Sequence, residues 1–130
     1  MRLDPGTIAY WRNFRPGSNK FVYLLGQTND GVVLSFTISS QTKYLGLYPH
    51  NQEMVEIPFR STDFLDRPSY IQCFFEVERT TLEDFRELER SGTIMYRGCR
   101  PEFLPQIAEI VGRSQLLTGY DQETIMSLFC

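Results

Sequence analysis

The chain has 130 residues, of which 42% are hydrophobic and 22% charged, and its formal net charge is −3. This length and balance predict one self-supporting domain over 1–130, and they argue against disorder and against a membrane span. The first residues lack the apolar stretch of a secretory signal, so we expect a cytoplasmic location.

The few residues suited to metal binding or to crosslinking are scattered. Three cysteines, Cys73, Cys99 and Cys130, occur without CxxC spacing, and His50 is the single histidine. An odd number of thiols predicts reduced cysteines rather than a disulfide framework. One histidine without clustered ligands predicts no metal site, and no cofactor is expected.

Charge is distributed unevenly along the chain. Residues 1–60 contain six basic and four acidic side chains, whereas residues 61–130 contain seven basic and twelve acidic ones. A nucleic-acid interface needs a concentrated positive patch, which only the first half could supply. The alternative is that these charges form an ordinary solvated surface.

The first half of the chain predicts antiparallel strands. Residues 7–14 alternate as a strand, and the Pro-Gly loop 15–19 follows. Two apolar runs predict a hairpin over about 20–38, whose turn ends in Asp30 and Gly31 because both positions can take positive φ.

Beyond the hairpin the pattern weakens. The segment 44–48 is a candidate short strand, and Pro49 predicts a turn. The segment 54–59 alternates as a strand, and Pro58 favours an edge position because proline cannot donate to the sheet. The β-rich segment 69–78 is predicted as one central strand.

The period then changes to that of a helix. A capping-box pattern at Thr80 and Glu83 predicts a short helix over about 80–90, which Gly92 ends. A short strand is predicted over 93–98.

The best predicted helix covers about 101–117, from Pro101 to a stop at Gly119. Its apolar stripe predicts packing across a sheet, and consists of Phe103, Leu104, Ile107, Ile110, Val111 and Leu117. Together these elements predict a β-rich α+β fold: a strongly bent sheet or partly open barrel of about five to seven strands with a C-terminal helix.

The tail 118–130 is rich in apolar residues for a chain end, so we expect it to be covered. The preferred interpretation is that it crosses to a second copy in a homodimer. Two alternatives are that it folds back on its own domain, or that it fills a groove meant for a partner peptide and so inhibits the protein.

Several segments, taken in order over about 4–117, resemble the PemK/MazF family of toxin endoribonucleases. PGTIAYWRNF is similar to the family's opening strand, KFVYLL to its Arg-Pro-hydrophobic strand, and VVLSFTISSQ to its strand with a hydroxyl-bearing end. SYIQCFFEVERTTL resembles the later strand with the start of the short helix, and PQIAEIVGRSQLL resembles the last helix.

The resemblance implies an SH3-like, partly open barrel that forms a homodimer and binds an antitoxin protein. It implies metal-independent cleavage of single-stranded RNA, in which the ribose 2′-OH attacks the adjacent phosphate. DNA and membranes are not expected partners. Such cleavage needs a proton acceptor, a proton donor and positive charge against the phosphorane.

Three residues are the catalytic candidates under this resemblance: Lys20, Ser39 and Glu76. Lys20 stands where the family has an arginine, so the charge remains while the bidentate fork is lost. Ser39, or Ser40 if the register slips, stands at the strand-end threonine. Glu76 supplies a carboxylate for acid–base chemistry, with Glu78 and His50 as alternatives.

The candidate RNA-binding residues are Arg15, Lys20, Ser40 and Arg79. Three of these have a structural alternative. Lys20 is then a charge that protects a strand edge, the serine hydroxyls bond to their own backbone, and Arg79 forms an ion pair with Glu76 or Glu83.

The segment Gln72, Cys73 and Phe74 stands where some family members carry an Arg-x-Asp pair, and Cys73 is interpreted as core. Two functions therefore stay open at the level of the sequence. One is a divergent endoribonuclease, and the other is a catalytically inactive SH3-like module that binds protein or RNA.

Overall fold

A computed structural model of the chain describes residues 2–62 and 64–129. These residues form seven strands and three α-helices. The strands are β1 (Thr7–Arg15), β2 (Ser18–Gln27), β3 (Val32–Ser39), β4 (Met54–Ile57), β5 (Ser69–Gln72), β6 (Glu78–Thr81) and β7 (Ile94–Cys99). The helices are α1 (Leu82–Arg90), α2 (Leu104–Gly112) and α3 (Gly119–Met126). Cys130, the third cysteine, lies outside the described residues.

The strands form one antiparallel sheet in the order β4-β5-β3-β2-β1-β7, and β6 pairs with β3 as well. Within the described residues β4 and β7 lie at the two edges, so the sheet is not closed. The predicted β-rich α+β class is therefore confirmed, and so is the edge position of β4.

The central hairpin is also confirmed. β2 and β3 pair from Phe21 opposite Ile38 to Gln27 opposite Val33. Gly31 takes a φ of 80°, which a residue without Cβ adopts freely. The expectation that Asp30 also takes positive φ is wrong, because the longer turn needs the left-handed conformation only at its last residue.

Side chains alternate between the two faces of the sheet along each strand, and both faces are covered. The larger core cluster lies on the face packed by α2 and α3 and includes Tyr23, Phe36 and Ile107. The smaller cluster lies under α1, where Phe85 meets Val22. Burial on both faces explains why β2 contains an almost uninterrupted apolar run.

The predicted central strand 69–78 is wrong as a single element. It is divided into β5 and β6 by the turn 73–77. The cap of α1 is also one residue later than predicted, because Thr81 Oγ1 accepts from the backbone N–H of Asp84 at 3.2 Å. Gly92, with φ 76°, follows the end of α1 as expected.

The predicted helix 101–117 is shorter in the structure. A 3₁₀ turn, Pro101–Phe103, leads into α2, and the chain then leaves the helix. The reason is Glu53, a buried carboxylate that accepts from Ser114 Oγ and from the backbone N–H of Gln115. The stripe of apolar residues packs in the larger core as predicted.

Two further segments differ from their predictions. Gly119 begins α3 instead of ending the preceding helix, since Thr118 Oγ1 caps α3 by accepting from the N–H of Asp121 at 3.1 Å. The candidate strand 44–48 is a turn, which precedes the short 3₁₀ helix His50–Gln52.

The C-terminal tail folds back on its own chain. Ile125 is fully buried in the larger core, and Met126, Leu128 and Phe129 pack against it. The fold-back alternative therefore describes the tail, while the homodimer stays a prediction. None of the helices in the described ranges has the length and apolarity needed to cross a membrane.

Candidate active site

A break in the sheet creates the main candidate site. β5 pairs with the end of β3 at Ile38 and Ser39, whereas β6 pairs with the start of β3 from Val32 to Ser35. The turn 73–77 leaves the ladder between them and opens the sheet beside Thr37. A surface cavity of about 400 Å³ occupies this place, and we refer to it as the break cavity.

The break cavity is lined by residues from separate elements. Its cations are Arg15, Lys20 and Lys43, and its carboxylates are Glu76 and Glu78. Its remaining lining is formed by hydroxyls, amides and two aromatic rings: Thr37, Ser39, Gln41, Gln72, Tyr44 and Phe75. A site of this composition can hold a phosphodiester by charge and by hydrogen bonds.

The register of β2 and β3 explains why Lys20 and Ser39 meet. Phe21 is paired with Ile38, so Lys20 and Ser39 are the next positions along the two strands. Both belong to the sheet face that carries Val22, because side chains alternate. α1 packs on the apolar part of this face. Beyond the helix the same face carries the polar residues of the break cavity.

A bulge in β1 brings Arg15 to the cavity. Asn13 takes a φ of 56°, and the register with β2 shifts between Trp11 and Arg15. The side chain of Asn19 stabilises this bulge, because the backbone N–H of Asn13 donates to Asn19 Oδ1 at 2.8 Å. Bulges redirect side chains near functional sites, and here Arg15 Nη2 reaches Glu78 Oε1 at 2.6 Å.

The serine hydroxyls are only partly committed to the backbone. Ser39 is buried, and its Oγ accepts from the N–H of Gln41 at 3.1 Å, which is the backbone bond considered as the structural alternative. Its O–H remains a donor at the cavity wall. Ser40 does not line the break cavity but a neighbouring one, together with Lys20 and Ser39.

In the cavity Arg15 is paired with Glu78, in contrast to the catalytic candidates Lys20 and Glu76. Within residues 2–62 and 64–129 neither forms an ion pair. Glu76 is exposed in the turn 73–77, and Lys20 is half-buried in β2. Both charged groups are therefore accessible to a ligand without breaking an existing pair.

Arg79 is not brought into the break cavity. Its Nη2 lies 2.5 Å from Asp121 Oδ1 of α3, and its guanidinium carbon lies 4.6 Å from the centroid of the Tyr120 ring. The predicted alternative partners, Glu76 and Glu83, are wrong, because the fold-back of α3 supplies a closer carboxylate. No local sequence pattern indicates this pair, because its two residues are distant in the chain.

His50 lies behind the cavity wall. Its ring stacks on Tyr44 at 5.2 Å and 16°, and it meets Phe74 edge-on at 4.9 Å. Cys73 is fully buried, and burial, with a smaller contribution from the charge of Glu53, raises the pKa of its thiol. A nucleophilic role for Cys73 is therefore unsupported, in agreement with its interpretation as core.

The sequence missed the residues of the loop after β3 and of the break itself. Tyr44 falls in the candidate strand 44–48 of the sequence prediction, Lys43 comes just before it, and Phe75 falls in the predicted strand 69–78. No local signal identifies Phe75, because the sheet is covered on both faces and alternation along a strand could bury both Phe74 and Phe75. In the described part of the chain no group of three or more His, Cys, Asp or Glu side chains could hold a metal ion.

No protein-family model matches this chain, no curated protein matches it, and no solved structure matches it.

Proposed function

We propose that the protein is a divergent endoribonuclease of the PemK/MazF type, which cleaves single-stranded RNA without a metal ion. The observation that carries the proposal is the break cavity, in which Lys20, Ser39 and Glu76 line one surface together with Arg15. These are the three catalytic candidates and one RNA-binding candidate of the sequence resemblance. The proposal includes the family's SH3-like, partly open barrel, its homodimer, its antitoxin partner and a cytoplasmic location.

The chemistry assigns a role to each group. Glu76 accepts the proton of the ribose 2′-OH, whose oxygen attacks the adjacent phosphorus. Lys20 and Arg15 stabilise the negative charge that develops on the phosphorane, and the Ser39 hydroxyl donates to a non-bridging oxygen. The bond from phosphorus to the 5′-oxygen breaks, and Lys20 donates the proton that this oxygen takes up.

The test is cleavage of a panel of single-stranded RNAs by the purified protein in EDTA. The expected products carry 2′,3′-cyclic phosphate or 3′-phosphate at one end and 5′-hydroxyl at the other. Duplex RNA of the same sequences is the control and should be cut more slowly, because its backbone cannot enter a concave site on one protein face. A folded protein that cuts none of the RNAs contradicts the proposal.

A second candidate function is binding without cleavage. It is favoured by Ser39, whose Oγ already accepts from Gln41, and by Glu78, which is held by Arg15. Both interactions reduce the number of groups available for proton transfer. Protein that binds single-stranded RNA in the same assays and leaves it intact would support binding without cleavage as the function.

A further inference from the structure

We infer that the break cavity contains a nucleobase subsite in which the ring of Phe75 stacks on one base of the bound RNA. This inference rests on the proposed function, since it names the substrate group next to the phosphate-binding end of the same cavity. The subsite is formed by Phe75, Tyr44 and Lys43, with Gln72 beside them.

The exposure of Phe75 is the first observation. It lies in the turn 73–77 directly after the buried Phe74, yet 42% of its surface is exposed, and the cavity it faces is otherwise lined mostly by polar and charged residues. Phe74 and Val77 are buried in the same turn. Covering an exposed phenylalanine ring is energetically favourable, and the walls of the cavity limit which groups can reach it.

The ring of Phe75 is held in place. Tyr44 meets it edge-on at 5.7 Å and 85°, and Phe74 packs against it at 4.6 Å. Tyr44 is itself stacked on His50, and Lys43 Nζ lies 5.0 Å from the centroid of the Tyr44 ring. Tyr44 therefore holds Phe75 in position, and the ring of Phe75 is the surface on which a base can stack.

The surroundings favour a nucleobase over an apolar peptide. Every base has a flat π-face that stacks on aromatic side chains, and the flanking phosphates require cations. Arg15, Lys20 and Lys43 supply those cations around the two rings. An apolar peptide side chain would bring no charge to match them.

Gln72 adds a hydrogen-bonding group to the subsite. Its Oε1 accepts from Thr37 Oγ1 at 3.1 Å across the break in the sheet. This bond orients the amide so that its NH₂ group is the donor that remains for a ligand. A carbonyl oxygen on the edge of a base is the matching acceptor.

The experiment measures binding of a short labelled single-stranded RNA by fluorescence anisotropy. Phe75→Leu keeps apolar bulk and removes the ring, and we expect it to weaken binding on the order of tenfold. Phe75→Trp keeps a stacking ring and should bind at least as well as the natural protein. Phe59→Ala is the control, because Phe59 is 37% exposed and lies outside the break cavity, and it should leave affinity unchanged.

A second ligand isolates the base. An RNA analogue with abasic positions keeps the sugar-phosphate backbone, so Phe75→Leu should bind it as well as the natural protein does. A free nucleoside monophosphate is a third ligand, and Phe75-dependent binding of it at similar affinity would identify a nucleotide site instead of an RNA site and overturn the inference.

The outcomes separate this inference from the proposed function. If the natural protein cleaves RNA and Phe75→Leu binds RNA equally well, the subsite is wrong and the endoribonuclease stands. Equal affinity of the natural protein for intact and abasic RNA also overturns the subsite. If the folded natural protein binds no RNA at all, both are overturned. Thermal melts confirm that each variant is folded.

Discussion

The molecule contains two arginine–carboxylate pairs that look alike in distance and differ in environment. Arg79 Nη2 lies 2.5 Å from Asp121 Oδ1, and these side chains are 28% and 6% exposed. Arg15 Nη2 lies 2.6 Å from Glu78 Oε1, where the side chains are 60% and 24% exposed. The first pair joins α3 to β6, and the second lines the break cavity.

The comparison shows that burial, more than pairing, separates a structural arginine from one that a ligand can reach. Asp121 also accepts from the N–H of Val77 at 3.3 Å, so two donors satisfy its buried carboxylate. Removing one partner there leaves a charge without compensation. Water screens the Arg15 pair, and a phosphate can exchange with Glu78 at little cost.

The largest expected effect comes from breaking the buried pair. Asp121→Ala should lower the free energy of unfolding by about 3–5 kcal/mol, because Arg79 and the Val77 N–H lose their acceptor in a low-dielectric site. Urea denaturation of the natural protein and the variant measures this difference.

Glu123→Ala is the matched control for that change. Glu123 is an exposed acidic residue of the same helix, so its loss should change the free energy by less than about 0.5 kcal/mol. An Asp121→Ala protein as stable as the control would show that the pair contributes nothing measurable, and the distinction by burial would then be wrong.

The next effect concerns the rate of RNA cleavage. Lys20→Ala should slow single-turnover cleavage by about 10²-fold, since one preorganised cation is lost at the phosphorane. Lys20→Arg should retain or raise the rate, because the guanidinium fork fits phosphate oxygens. Neither change should lower the melting temperature appreciably, since Lys20 is part of no ion pair within the described residues.

Arg60→Ala removes a positive charge outside the break cavity and serves as the control for net charge. It should leave the cleavage rate unchanged. A Lys20→Ala protein that cuts RNA at the natural rate would contradict the catalytic role of Lys20. The alternative from the sequence, in which Lys20 protects a strand edge, is wrong because β2 lies between β1 and β3.

The fold could be predicted from the sequence where local patterns decide it. The hairpin of β2 and β3, the edge position of β4 and the stop at Gly92 all follow from alternation, proline and glycine chemistry. The break between β5 and β6 could not be predicted, because alternation continues through it. What holds the turn 73–77 is Asp121, a long-range contact without a local signal.

The candidate site shows the same division. The resemblance selected Lys20, Ser39 and Glu76, which line one cavity, and Arg15, which a β-bulge directs to it. It also selected Arg79, which instead binds Asp121. Spacing identifies residues of suitable chemistry, whereas tertiary contacts determine which of them stay accessible to a ligand.

Cys73 extends the comparison to a buried group whose one charged influence, Glu53, also disfavours the ionised thiol. Burial raises the pKa of the Cys73 thiol in the folded protein. The contribution to stability is therefore complete below the unfolded pKa of about 8.5 and falls as pH rises above it. We expect a loss of about 1.4 kcal/mol per pH unit, or about 2 kcal/mol by pH 10.

Denaturation at increasing pH under reducing conditions measures this loss. Cys73→Ala should remove the slope between about pH 8.5 and 10, whereas Cys99→Ala, at an exposed thiol, should retain it. Burial also raises the pKa of Tyr23, but its unfolded value near 10 places that contribution at still higher pH. An unchanged slope in Cys73→Ala would assign the alkaline loss to another group.

The smallest expected effect on stability comes from breaking the exposed pair, which is the direct counterpart of the first prediction. Glu78→Gln should change the free energy of unfolding by less than about 0.5 kcal/mol, because Arg15 stays hydrated.

Affinity for single-stranded RNA should rise on the order of threefold in Glu78→Gln, since a negative charge is removed and Arg15 becomes available to phosphate. The slope of log affinity against log salt concentration should become steeper, by up to the amount that about one phosphate contact contributes. Anisotropy titrations over a salt series measure both quantities. A Glu78→Gln protein destabilised as strongly as Asp121→Ala would place the two pairs in the same class, and exposure would no longer explain why one arginine is structural and the other is available for binding.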